Sequence, residues 1–319
     1  MNNILLVLVV RRLLSALLTL FLVSIVVFAI TNILPGDAAQ QILGQFAMPE
    51  QVAALRSQLG LDQPATTRYF HWLFNLLSGD LGQSFANNMP VSELMDDRLQ
   101  NTLMLAAATS IVSVPIALML GIWSAIYRNG RLDRVLNLIT LSLVAVPEFL
   151  VATIAVLIFA VKLHWFSAIS YGGYGEGILD FLRSYTLPVM TLCFVITAQM
   201  ARMTRAAMVD ELSTSYIEMA HLKGLSTIRI AFIHALPNAI GPIANAVALS
   251  LSYLFGGVVI VEAIFNFPGI AGLMVDAVTN RDIALIQACT MLFCTGYLVL
   301  ILLADISAIV FNPRLRNKV

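Results

Sequence analysis

The chain has 319 residues, of which 59% are hydrophobic and only 11% charged; formal net charge is zero and mean hydropathy is +0.88. A soluble domain is nearer half apolar and a quarter charged, so this composition describes an integral membrane protein. Zero net charge leaves no case for a nucleic-acid partner or a broad basic membrane patch. The three cysteines, Cys193, Cys289 and Cys294, sit in apolar runs with no Cys-x-x-Cys pair. That argues against a disulfide framework and for small buried hydrophobes.

In chain order, Arg11-Arg12 followed by an apolar run has the outline of a signal peptide. Residues 13–34, however, are long enough to span a ~30 Å hydrocarbon core, and no small-x-small cleavage site precedes Pro35. They read as a retained first span, with residues 3–10 lying along the inner membrane face. Hydropathy predicts six spans, at 13–34, 102–127, 135–161, 186–206, 239–262 and 286–311. The second holds Pro115 and Gly121 and the third Pro147, breakers that neighbouring helices or water can accommodate. Gly256-Gly257 in the fifth predicts a close backbone approach.

Between the first two spans, residues 47–59 and 66–77 read as helices, the latter with Tyr69, Trp72, Leu73 and Leu76 on one face. Residues 79–82 read as a turn, and 91–99 as a third helix leading to the second span. Together they predict a small helical cap on the outer face. Orientation follows from Lys and Arg. One side collects Arg11, Arg12, Arg128, Arg131, Arg134, Arg202, Arg205, Lys223, Arg229, Arg314, Arg316 and Lys318; the other has Arg56, Arg68, Arg98, Lys162, Arg183 and Arg281, spread over longer loops. Both termini and segment 207–238 are therefore expected in the cytoplasm. Arg202 and Arg205 read as anchors of the fourth span, meeting a partner or lipid headgroups.

Residues 216–242 are the one long polar segment between strongly apolar blocks. They read as two short helices. The first, 217–222, stops at Gly224, which can take the left-handed conformation. The second, from an N-cap at Ser226 to Leu236, stops before Pro237, which lacks the amide of the next turn. Such a unit is a docking element by shape; a DNA-binding helix-turn-helix would need a soluble basic domain, and an amphipathic pair lying on the membrane is the remaining alternative.

Catalytic chemistry is sought and not found. The P-loop needs Gly-Lys-Ser/Thr, and none of Lys162, Lys223 and Lys318 follows a glycine. His71, His164, His221 and His234 lack metal-site spacing, and none sits at depth in a span beside a nucleophile. No catalytic residue, metal or cofactor is expected. Ionisable groups inside spans are functional candidates by default. Glu148, after Pro147, either lines a pathway or serves structure. Glu262, near the outer end of its span where water reaches, and Asp305, which can pair within the bundle, have structural readings too. Gln199 and Asn245 are polar lining candidates, with interhelical hydrogen bonding as the alternative. An ion-gradient-driven secondary transporter is the rival class, but it predicts inverted repeats that are not found.

Several stretches carry a resemblance. Glu218-Met219-Ala220, Gly224 and Leu236-Pro237 fall at the spacing of the coupling loop of ABC-importer permeases. Residues 34–39 (LPGDAA), 59–64 (LGLDQP), 79–84 (GDLGQS), Phe267-Pro268-Gly269, Arg281-Asp282 and Asn312-Pro313-Arg314 follow in order. The chain resembles the B-type permease subunit of dipeptide/oligopeptide/nickel ABC importers over nearly its whole length. The resemblance implies an all-α polytopic fold of the type I importer class with six transmembrane helices and a small helical periplasmic segment. It divides the chain into 1–97 (first span plus periplasmic segment), 98–311 (permease core with loop 207–238) and 312–319 (cytoplasmic tail). It also implies a second, distinct permease subunit, two cytoplasmic ATPase subunits gripping Tyr216, Glu218, Ala220, Gly224, Leu236 and Pro237, and a periplasmic solute-binding protein. Short peptides are the commonest cargo it implies. Glu148, Gln199, Asn245 and Glu262 remain the pathway candidates.

Overall fold

The computed structural model describes residues 2–33, 47–58, 60, 62–169 and 177–310. Motif residues 34–39, Leu59, Leu61 and the tail 312–319 lie outside that set. Among the described residues every regular element is a helix: α1 (Asn2–Ile33), α2 (Pro49–Gln58), α3 (Ala65–Leu77), α4 (Val91–Ile126), α5 (Arg131–Ala145), α6 (Glu148–Lys162), α7 (Ile178–Leu212), α8 (Ser215–Leu222), α9 (Thr227–Ile264), α10 (Ile270–Asn280) and α11 (Ile283–Val310). Five of them are long and apolar enough to cross a membrane, and α5 with α6 makes a sixth if that pair is one span.

The spans appear in the expected order, with four corrections. The first helix is continuous from Asn2, so residues 3–10 extend α1 instead of forming a separate surface stretch. The predicted outer helix 91–99 is the first part of α4, which runs unbroken for 36 residues. The third span is not one rod: α5 and α6 meet at a 97° bend. Its cause is local. A residue before proline is pushed out of the α region, and both Val146 (φ −85°, ψ 127°) and Pro147 (φ −59°, ψ 137°) are extended. Finally, Pro237 ends nothing. The helix begun at Thr227 widens into a π turn at Ile230–Ala235 and continues to Ile264. Proline deprives the carbonyl one turn back of its donor, and the wider π turn re-registers the ladder just ahead of it.

By contacts the chain forms two compact units. One holds Met1–Leu14, Met104–Phe267 and Tyr297–Val319 in their described parts. Here α7 and α9 pack along each other, with α5 and α6 against α7. Lipid tails are as apolar as leucine, so helices associate in membranes through close packing of small residues. Accordingly Ala198, Ala201, Ala239, Ala246, Ser250 and Gly257 are buried on α7 and α9, around larger side chains such as Leu192, Met200, Leu254 and Phe265. Arg12 and Asp305 pair at 3.2 Å, which sets the start of α1 beside the end of α11. Arg12 is largely exposed, so the pair adds little stability.

The other unit holds Ser15–Leu103 and Pro268–Gly296. The aromatic face predicted for 66–77 packs against α1: Tyr69 shares a 2.8 Å hydrogen bond with Ser24 and meets Phe28 edge-on at 5.3 Å. The 79–84 stretch and Arg281-Asp282 touch here. Ser84 donates to the buried Asp282, which also accepts the amides of Ala86 and Leu285 at 3.3 Å and so caps α11. Helix α10 was not anticipated; the Thr102 hydroxyl accepts its first amide, from Ile270, at 2.9 Å.

Candidate functional site

The docking segment folds as a helix, a left-handed turn and a second helix. Gly224 has φ +79°, and the turn closes with Gly224 N–H donating to His221 C=O (2.9 Å) and Leu225 N–H to Ala220 C=O (3.3 Å). This double bond is the glycine-terminated helix end, in which a Cβ would be strained. Ser226 occupies the N-cap position of α9, but its side chain makes no capping bond; its carbonyl accepts the Ile230 amide at 2.9 Å. Ile217 and Ala220 turn inward and pack with Met208, Ile230, Ala231 and Ala235. Glu218 sits exposed in the first turn of α8, where the helix dipole favours an acid. Leu236 packs at the margin of that inward cluster, and Pro237 is exposed.

Tyr216 ties the two arms together. Its hydroxyl donates to Glu211 Oε1 at 2.6 Å, lies 3.3 Å from the His234 carbonyl, and accepts from Asn238 Nδ2 at 3.0 Å. Asn238 Nδ2 also donates to that carbonyl at 2.9 Å. Side chains thus satisfy a carbonyl of the π turn. Partial burial, and next the bond to Glu211, hold the Tyr216 phenol above its ordinary titration range. The unit's exposed residues are mixed: the apolar Met219 and Leu222 on α8 and Ile228, Phe232 and Ile233 on α9 stand among the polar Glu218, His221, Lys223 and Arg229. Interface patches combine exposed apolar side chains with a polar surround, and this mixture has that composition. All six residues predicted for ATPase coupling therefore lie within this one unit.

Beside it is a group the sequence did not single out. Asp133, in the first turn of α5, is 2% exposed. Arg205 of α7 grips it through Nε (2.7 Å) and Nη2 (2.8 Å). Ser124 Oγ (2.5 Å), the Asn129 amide (2.9 Å) and Asn137 Nδ2 (2.7 Å) complete the set. Arg205, expected to meet lipid or a partner, instead clamps α5 and the α4–α5 turn onto α7. The available signal was an acid at a helix start among arginines.

Farther along, Glu148 opens α6 after the bend. It lines a cavity of about 260 Å³ together with Gln199, Ser250, Tyr253 and the Gly256-Gly257 pair. The glycines act differently from expectation: Gly256 faces open space, while Gly257 makes room for the Glu148 carboxylate, which any Cβ there would strike. The close approach is side chain to backbone, not backbone to backbone. Ser250 Oγ is buried with no hydrogen-bond partner. Of the four pathway candidates, the structure brings Glu148 and Gln199 together. Asn245 is half-buried on α9 outside this lining, and Glu262 is 0% exposed, packed in the α9 end rather than open to water. Among the described residues no group of three His, Cys, Asp or Glu is arranged to hold a metal ion.

Residues 117–317 match the family described as "Binding-protein-dependent transport system inner membrane component", and residues 5–106 match its counterpart "Binding-prot-dependent transport system membrane comp, N-term". The chain is 35% identical over 308 residues to a probable peptide ABC transporter permease protein, y4tP, of Sinorhizobium fredii, covering 97% of this chain and 98% of that one. It is 36% identical over 310 residues to the glutathione transport system permease protein GsiC of an Escherichia coli strain, covering 97% and 99%. Against GsiC of Shigella dysenteriae the identity is 35% with the same coverage.

Proposed function

Since the chain belongs to the family of binding-protein-dependent transport system inner membrane components, and is a permease subunit of an ABC importer, we propose that it forms half of a translocation pathway for short peptides. Such a subunit is a multi-pass inner-membrane protein and hydrolyses no ATP itself; its relatives work with a partner permease, ATPases and a periplasmic binding protein. The secondary-transporter alternative is not favoured.

The observation that carries the proposal is the α8–Gly224–α9 unit, ordered by the Tyr216 network and exposing Met219, Leu222, Ile228, Phe232 and Ile233 among polar residues. Two cytoplasmic ATPase subunits engage this unit and its counterpart on a second, distinct permease. Because α9 runs from the docking turn into the membrane without a break, a push on α8 is delivered to the span as a lever. Driving an equilibrium from 1:99 to 99:1 takes about 5.5 kcal/mol of differential binding, which ATP at a subunit interface can supply. Both termini face the cytoplasm, a reading supported by the Lys/Arg asymmetry and by the Arg12–Asp305 pair, which sets the start of α1 beside the end of α11. In this reading residues 1–97 supply the first span and the periplasmic segment that receives the binding protein, 98–311 the pathway, and 312–319 a cytoplasmic tail, with Glu148 and Gln199 on the route. Peptides as cargo rest on the names of the relatives. The test is co-purification and uptake: Glu218→Lys and Gly224→Pro should each lose the ATPase subunits and uptake of a labelled dipeptide. Survival of both activities in both variants would give this unit another job.

A further inference from the structure

We propose that the cavity under the α5–α6 bend is a subsite for the protonated amino group of the transported solute. This rests on the peptide-pathway reading above and adds which end of the peptide this half of the pathway holds.

Three observations converge. The first is an unpartnered acid. Among the described residues no lysine, arginine or histidine pairs with Glu148, and no hydrogen-bond donor reaches it. A carboxyl group inside a span is costly and is retained where it does something. The second is an unpartnered hydroxyl. Ser250 Oγ, 1% exposed, lines the same cavity and has no partner. Buried polar atoms are satisfied in the great majority of cases, so a lone one on a cavity wall points to something that visits. The third is shape. Gly257 leaves no space for a Cβ beneath the Glu148 carboxylate, so the acid is seated in a notch of α9 with Ser250 and Tyr253 on the same helix.

The chemistry selects an ammonium group. An –NH₃⁺ carries three N–H donors and no acceptor, and the wall offers the Glu148 carboxylate, Ser250 Oγ and the Gln199 carbonyl or Tyr253 hydroxyl as acceptors. A substrate carboxylate would be repelled here. A resident divalent cation would want several more oxygen ligands than one carboxylate provides. At about 260 Å³ the cavity is smaller than the ~300–1,000 Å³ of a complete small-molecule pocket, which suits one end of a peptide.

The test uses the whole transporter, with its partner permease, ATPases and binding protein, in proteoliposomes. Uptake of L-alanyl-L-alanine and of N-acetyl-L-alanyl-L-alanine is measured for wild type, Glu148→Gln and Glu148→Asp, so that any preference of the shared binding protein cancels between variants. We expect Glu148→Gln to lower uptake of the free dipeptide about tenfold or more, the scale of one charge-assisted contact, while Glu148→Asp retains most of it. Uptake of the acetylated dipeptide should not respond to Glu148→Gln. The subsite is overturned if Glu148→Gln matches wild type on the free dipeptide, if both dipeptides fall in equal proportion, or if the Asp and Gln variants fall alike. Where wild type takes up no acetylated dipeptide, the Asp-against-Gln contrast decides. Wild type importing neither dipeptide would defeat the peptide-pathway reading itself, and the subsite with it. A second variant, Gly257→Ala, should displace the carboxylate and reproduce the selective loss while keeping the charge.

Discussion

Asp133 and Glu148 stand in the first turns of α5 and α6, the two helices that meet at the 97° bend, and their surroundings are opposite. Asp133 is buried under a guanidinium, a hydroxyl, a backbone amide and a side-chain amide. Glu148 lines an open cavity, and among the described residues no donor reaches it. The same residue chemistry thus serves two ends. A fully satisfied buried acid fixes helices in place, because removing any partner leaves a charge in a medium that cannot solvate it. An unsatisfied acid adds nothing to the scaffold and is free to meet a visitor.

That contrast can be broken by stability measurements on purified subunit in detergent. Arg205→Ala should cost the most, about 3–5 kcal/mol, because it leaves Asp133 buried without its cation; the readout is a lower unfolding temperature and a lower yield of folded protein. Glycine 224 comes next. A side chain at its left-handed φ costs roughly 1–2 kcal/mol, so Gly224→Ala should loosen the docking unit, seen as faster proteolysis of the α8–α9 turn, without much change in the spans. Tyr216→Phe removes one hydroxyl from a largely exposed network and should cost no more than about 1 kcal/mol. Its pH dependence has a definite sign. Since the folded phenol titrates above its unfolded value of about 10, its contribution is present below that value and is lost only as pH rises through the folded one. ATPase co-purification should therefore be flat between neutral and mildly alkaline pH. Smallest of all, Glu148→Gln should leave the unfolding temperature unchanged, within about 0.5 kcal/mol. A large drop there would make Glu148 a second Asp133.

Much of the fold was legible because lipid demands long apolar runs, and spans satisfy it residue by residue. Hydropathy carries no direction, so it passed over the 97° turn even though Pro147 marked the spot. The helix end expected before Pro237 came from proline's missing amide, which is visible in sequence while the π turn and the Asn238 and Tyr216 side chains that compensate are not. Helix α10 escaped by being too short to span. Gly224 was legible because one residue type performs one backbone task. The Asp133–Arg205 clamp was not, since it joins positions 72 residues apart and each half reads alone as an ordinary interface charge. Glu148 could be named from its chemistry, but its cavity partners on α7 and α9 could not.

The most direct test of the central claim, that an external motor moves this chain through α8 and α9, is cross-linking in the assembled transporter. Met219→Cys places a thiol at an exposed position of α8, and Asn87→Cys places one on the turn before α4. A bifunctional maleimide should join the Met219→Cys subunit to an ATPase subunit, with the yield changing when ATP binds, and should leave the Asn87→Cys subunit unlinked to it. An ATPase cross-link from Asn87→Cys alone, or labelling of Met219→Cys in intact cells by a membrane-impermeant maleimide, would contradict it.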